Sequence, residues 1–291
     1  MDGTTIAIQV LNGLAFSMLL FLLAAGLTFI FGMMEFINLA HGSFYMLGAY
    51  LAYEIARDLR NFWLALLIAP ALVGALGFIL ERLFLRTLYP RGHLDQVLLT
   101  FGLALMAADL VKSAWGADIR SVPAPDELRG AIPLLNAAYP RYRAFVVGAG
   151  LVLAAGLWFL HTRTRLGAIL RAGVDDREMA DGLGIDIDRV FALVFAGGAA
   201  LAGFAGVIAG PFLSLQPGMD FDTLILSLVV VVIGGLGTLR GSFFGAILVG
   251  LADTFGKVAF PDYSLIVIFA MMAVVLLSRP TGLFGRRPAY A

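Results

Sequence analysis

Few residues in this chain have both the type and the spacing for chemistry. Asn38 and His41 lie three apart in the stretch Asn38-Leu39-Ala40-His41-Gly42, a spacing that would set them on one helix face. Such a pair could line a polar path or bond to a neighbouring helix. No second histidine, cysteine or acidic cluster completes a metal site around them. Asp109 with Lys112 and Asp253 with Lys257 have helical spacings, which read as self-neutralising pairs near the ends of apolar spans, although ionisable residues in a membrane are functional candidates by default. The chain lacks the glycine-rich Lys-Ser/Thr phosphate loop, the His-Glu-x-x-His metal motif and the Gly-x-Ser-x-Gly nucleophile elbow. It also lacks a potassium-filter signature and an arginine-rich voltage sensor. Together these point away from an ATPase or enzyme and call for no cofactor or metal.

The 291 residues are 60% hydrophobic and 14% charged, with a mean hydropathy of +0.93, against about 25% charged residues in a soluble domain. Its apolar runs are continuous, without strand alternation, so the expected fold is all-α and polytopic, its helices spanning a lipid bilayer. Zero net charge argues against nucleic-acid binding. The absence of cysteine excludes disulfides and thiolate chemistry. The N-terminus has no basic leader and runs directly into an apolar span, so no cleavable signal is expected. No polar segment is long enough for a soluble domain, and residues 1–291 read as one transmembrane domain.

Spans are expected at about 8–31, 37–56, 62–83, 96–115, 144–160, 190–215, 223–233, 241–259 and 265–277. The second and seventh are weak and one could be re-entrant, giving eight or nine crossings. Pro70 is expected to kink the third. Alternate loops carry twelve and eight Lys and Arg. That bias places the loop 163–189 and the C-terminus in the cytoplasm, and the N-terminus and the proline-rich loop 116–143 outside.

The loop 163–189 contains five arginines and six acidic residues. Asp175-Asp176-Arg177-Glu178 reads as a capping box, with Asp175 accepting from the Glu178 N–H. Met179, Ala180 and Leu183 then form the apolar side of a short helix, which Gly184 is placed to end. The element is either a connector or a docking surface for a soluble partner. In the sixth span, Ala202, Gly206 and Gly210 recur every four residues, as do Ala199 and Gly203. That pattern permits close helix packing within the chain or between subunits. Two interrupted stretches, Gly32–Phe44 and Gly234–Phe243, both end in Gly-Ser-Phe. Broken spans at corresponding positions of two halves point to a transport pathway, although the match could be chance.

Five stretches resemble the membrane permease subunits of branched-chain amino acid ABC importers, in particular the shorter of the two Leu/Ile/Val permeases. They are Gly32–Gly42; Leu80-Glu81-Arg82-Leu83 with Leu85-Arg86, where Thr87 replaces the expected proline; Thr164–Val190; Gly234–Thr238; and Pro280-Thr281-Gly282-Leu283. The resemblance runs nearly end to end and is weakest over 116–143. It implies a multi-pass protein of the bacterial inner membrane. The implied partners are a second related permease or a second copy, two cytoplasmic ATPase subunits that hydrolyse ATP, and an extracytoplasmic substrate-binding protein. Under that resemblance Asn38, His41, Gly42, Gly234, Gly235 and Gly237 would line or hinge the translocation pathway. Arg171, Asp175, Asp176, Arg177, Glu178, Ala180 and Gly184 would couple it to an ATPase. Import of urea, short amides or other amino acids is the near alternative. A ribose-type sugar permease is a more distant one, against which the Asn-x-Ala-His-Gly stretch weighs. A stand-alone secondary carrier would need coupling-ion carboxylates at mid-membrane, whereas the acidic residues here read as lying near span ends.

Overall fold

A continuous apolar run with no charge from Gly3 to Met34 forms a helix of 32 residues, α1. At 1.5 Å per residue it is about 48 Å long, well beyond the ~30 Å hydrocarbon core of a bilayer. The computed structural model describes residues 2–34, 37–89, 91–134 and 137–285; the side chains of Asp175, Arg177 and Glu178 lie outside the description. So do Glu35 and Phe36 of the first interrupted stretch and the tail arginines Arg286 and Arg287.

Ten helices follow: α2 (His41–Leu59), α3 (Phe62–Leu80), α4 (His93–Trp115), α5 (Arg141–Arg163), α6 (Arg165–Asp175), α7 (Arg177–Gly182), α8 (Ile187–Ala209), α9 (Met219–Gly234), α10 (Leu239–Ala259) and α11 (Ser264–Ser278). Among the described residues seven helical segments are long and apolar enough to cross a membrane; α2 and α9, the two weak spans of the sequence, are not among them. The protein is thus an all-α, polytopic membrane protein.

Local chemistry sets several boundaries. Asn61 caps α3 by accepting from the Trp63 and Leu64 N–H groups at 2.9 and 3.2 Å. The helix continues through Pro70, then loosens into one π-helical turn (Glu81–Leu85) and a short 3₁₀ turn (Arg86–Leu88). The change of helix type comes at Glu81, beyond Pro70.

The centre of the molecule is α1, α2 and α8. Helix α1 packs on α8, α9 and α10, and α8 on α2 and α3. Helices α4, α5 and α11 lie at the periphery and keep large apolar side chains exposed, such as Leu105, Phe159 and Leu277. Ala199, Ala202, Gly203 and Gly206 of α8 are buried against its neighbours. A Cβ on Gly206 would lie 2.0 Å from the Tyr45 carbonyl oxygen, and one on Gly203 would lie 2.9 Å from Val73. A Cβ on Gly77 would meet that of Ala199 at 2.6 Å, Ala202 is fully buried, and Gly210 abuts Val122.

The segment 116–143 is more ordered than the extended loop its prolines suggest. It holds a two-stranded antiparallel hairpin, β1 (Ala131–Leu134) with β2 (Ala137–Pro140). Tyr139 of β2 donates its hydroxyl to the Leu11 carbonyl of α1 at 3.0 Å. Arg120 and Leu215 exchange backbone hydrogen bonds, which join this segment to the chain entering α9.

Candidate functional site

The turn before α2 is built around buried polar groups. Asn38 Oδ1 accepts from the Ala40 N–H at 3.0 Å, and the Leu39 N–H donates to Thr100 Oγ1 of α4 at 3.2 Å. Helix α2 starts only at His41, so Asn38 lies in the turn ahead of it. The shared helix face expected for Asn38 and His41 is therefore absent; both are fully buried by different routes. His41 Nε2 donates to the Leu23 carbonyl at 3.0 Å, because a carbonyl oxygen only accepts. Leu23 lies about 16 Å along the axis from the end of α1. The chain therefore turns back into the bundle before α2 begins.

Helix α9 begins at the same place. A Cβ on Gly42 would lie 2.2 Å from the Asp220 carbonyl oxygen. Ser43 Oγ donates to Asp220 Oδ2 at 3.1 Å, and Asp220 is 1% exposed. The N-termini of α2 and α9 thus abut, with a carboxyl group from the first turn of α9 between them, where helix dipoles favour negative charge. The sequence reading set Asp220 at a span end. The signal that could have moved it inward is the shortness of the apolar run after it.

At its other end α9 stops at Gly234, and the positive φ of Gly235 (107°) and Gly237 (73°) turns the chain. The Leu283 and Phe284 N–H groups donate to the Ile233 and Gly234 carbonyls, both at 2.9 Å. Two motifs far apart in sequence, Gly234–Thr238 and Pro280–Leu283, therefore form one cap. Gly237 packs on Gly32 at the end of α1, and the Thr28 and Ser242 hydroxyls are hydrogen-bonded nearby.

A cleft of about 670 Å³ opens beside this turn, lined by residues including Gly32, Trp158, Arg171, Gly237 and Arg240. Asn38, His41 and Gly42 do not line it. The two groups of pathway candidates occupy separate places in this chain.

The loop 163–189 contains two helices rather than one. Thr164 caps α6 by accepting from the Gly167 N–H at 3.2 Å, and Arg171 donates to the His161 carbonyl, folding α6 back on α5. The expected cap moves by one residue. Asp175 is the last residue of α6, and Asp176 accepts from the Met179 N–H at 2.9 Å to start α7. The Glu178 arm of the expected box falls on a side chain outside the description. Gly184, at φ 85°, closes α7 with bonds from the Ile185 N–H to the Ala180 carbonyl and from its own N–H to Asp181.

The apolar residues of α7 are divided. Ala180 is 2% exposed and packs with Met33, Ile187 and Phe191. Met179 and Leu183 are 62% and 75% exposed. One side of this helix is thus seated against the rest of the chain. From that seat Phe191 meets the Tyr89 ring at 5.5 Å, and Tyr89 donates to Glu81 Oε1 at 2.6 Å. Arg86 bonds Asp188 at 2.5 Å. Glu81, taken from the sequence as a span-end charge, is fully buried by the π-turn that carries it.

No group of three or more metal-ligating side chains occurs among the described residues. A bundle of apolar helices around broken central elements, with an ordered helical loop at one end, defines a multi-pass membrane transport protein. Residues 9–276 match the permease component of the branched-chain amino acid transport system, and the chain belongs to this family. It is 32% identical to the high-affinity branched-chain amino acid transport system permease protein BraD of Pseudomonas aeruginosa, over 96% of this chain and 95% of that protein. It is 30% identical to the permease protein LivH of Escherichia coli K12, with the same coverage. It is 26% identical to the LivM permease of that strain, over 92% of this chain and 68% of LivM. No solved structure matches it. The family and the spans place the protein in the inner membrane.

Proposed function

We propose that this chain is one permease half of an importer that takes up branched-chain amino acids. A binding protein delivers the substrate, separate ATPase subunits drive transport, and a second related permease completes the pathway. The similarity to BraD, LivH and LivM supports the substrate class and the pairing. In this reading the loop 163–189 and the C-terminus face the cytoplasm, the N-terminus and 116–143 face outward, and residues 1–291 act as one transmembrane domain.

The observation that carries the reading is the geometry of α7. It is capped at both ends, seated through Ala180, and presents Met179 and Leu183 to water. Exposed apolar side chains on a fixed cytoplasmic helix suit a cleft on an ATPase. Arg171, Asp175, Asp176, Arg177, Glu178 and Gly184 shape or flank that contact. A push on α7 would reach α8 through Ile187 and Phe191, and the end of α3 through Tyr89 and Glu81. Asn38, His41 and Gly42 at one end of α9, and Gly234, Gly235 and Gly237 at the other, then serve as hinges beside the pathway. The close packing at Ala199, Ala202, Gly203, Gly206 and Gly210 lets α8 carry the motion as a rigid element.

The test is uptake of labelled leucine by proteoliposomes holding the full complex. Met179→Asp with Leu183→Asp should leave this chain folded while abolishing ATPase co-purification and uptake. Normal uptake by that variant, or uptake without ATPases, overturns the reading.

A further inference from the structure

We propose that the face formed by α1, α5 and α10 carries a site for an anionic phospholipid, with its phosphate at Arg240 and one acyl chain in the groove below. Two hollows lie side by side on this face and share part of their walls. The cleft of about 670 Å³ is the more polar one, with Thr162, Arg171, Thr238 and Arg240 in its wall. The second, of about 360 Å³, is walled by Phe21, Leu151, Ala155, Phe243 and Phe244. Trp158, Leu239 and Arg240 belong to both. Along α5 the groove runs from Leu151 to Trp158, about 10 Å of helix axis. That is most of the ~15 Å depth of one leaflet.

The charge pattern selects the occupant. Both charged residues that line the hollows are arginines, and no described carboxylate lines either one. Arg171 already donates to the His161 carbonyl. Arg240 is exposed, with its guanidinium 4.3 Å from the centre of the Trp158 ring. A guanidinium held against an aromatic face at the end of an apolar groove keeps its donors turned toward an anion. Basic pockets between helices on one side of a membrane suit lipid phosphates. Helix α5 also packs in this chain chiefly on α1 and α6, so the rest of its surface is left uncovered by this chain.

The assembled transporter in nanodiscs is labelled with photoactivatable phosphatidylglycerol or phosphatidylcholine carrying the same acyl chains. Phosphatidylglycerol should label the peptides holding Leu151–Trp158 and Phe243–Phe244 in preference to phosphatidylcholine. Arg240→Gln should reduce that labelling about fivefold, the factor of roughly 1 kcal/mol expected for one basic residue near the membrane surface. Ala155→Trp should block the groove with Arg240 intact, which keeps the test open if the first variant misfolds. Equal labelling by the two lipids, or no effect of either variant, overturns the proposal. So does labelling of the isolated chain but not of the complex, which would assign the groove to a subunit interface. The readout requires no transport, so its outcome is independent of the coupling role of α7.

Discussion

Gly42→Ala tests whether the meeting of α2 and α9 is a packed contact on which the centre of the protein depends. The new Cβ would lie 2.2 Å from the Asp220 carbonyl oxygen and 3.0 Å from Leu224 Cβ. Contacts between nonbonded heavy atoms settle near 3.5–4.0 Å, so the helices must part by about 1 Å or more. Overpacking of this kind costs about 1–3 kcal/mol, and losing the Ser43–Asp220 bond adds about 1 kcal/mol. Alanine recovers about 0.5–1 kcal/mol of helix preference, which leaves a net loss of about 1–3.5 kcal/mol. Gly197→Ala is the control. It lies on α8 with nothing within 4 Å of the added Cβ, so only the helix gain applies. The two chemically identical substitutions should differ by about 3 kcal/mol. At about 2–4 °C per kcal/mol for chains slightly shorter than this one, their melting midpoints in one detergent should differ by about 6–12 °C. Coincident midpoints, or a Gly42→Ala midpoint above that of Gly197→Ala, would refute the packed junction.

Gly184→Val should leave expression largely intact and abolish uptake, because a β-branched residue cannot hold φ 85° without strain and the end of α7 would rearrange; normal uptake in proteoliposomes would remove Gly184 from the coupling element. Tyr89→Phe should lower stability by about 1–3 kcal/mol by removing the donor to the buried Glu81 Oε1, and an unchanged melting curve would contradict that cost. The Arg86–Asp188 pair is short but about half exposed, so a double-mutant cycle should return no more than about 1 kcal/mol. A coupling well above that would mean the pair is shielded in the assembled transporter.

Spans such as α1 and α8 were legible because an unbroken apolar run of that length has few other stable solutions. Helices α2 and α9 were weak in the sequence for different reasons: polar residues such as Ser43, buried in the interior, lower the hydropathy of α2, whereas α9 is apolar but only 16 residues long. The Asn38–His41 spacing misled because a helical spacing has meaning only inside a helix, and this one starts at His41. The cap of α7 slipped by one because two adjacent aspartates fit the same local pattern, and only the end of α6 selects Asp176. The hairpin within 116–143 escaped because Pro133 and Pro140 argue against strands; both sit in a two-stranded edge pair, where such residues are tolerated. The joining of Gly234–Thr238 with Pro280–Leu283 is a tertiary contact that no local pattern encodes.

In lipid, apolar side chains gain little by leaving one helix surface for another, so burial alone cannot hold this bundle together. The arrangement of residues answers that constraint. Large apolar groups are turned outward on α3, α4, α5 and α11, while glycine, alanine and hydroxyl groups gather where α1, α2, α8 and α10 meet. A single interhelical hydrogen bond in a membrane contributes about 0.6 kcal/mol on average, so contacts such as Thr28–Ser242 orient more than they stabilise. The larger share must come from backbone approach, and within the central helices this is close at Gly42–Asp220, Gly48–Gly203, Gly206–Tyr45 and Gly234–Gly241. Two of these four contacts involve the ends of α9, one of them against the start of α2, and the other two lock α2 to α8. The broken central helices are therefore held by steric fit at their ends. A structure fixed in that way can exchange one close-packed arrangement for another through small rigid shifts, without first losing a large buried apolar surface.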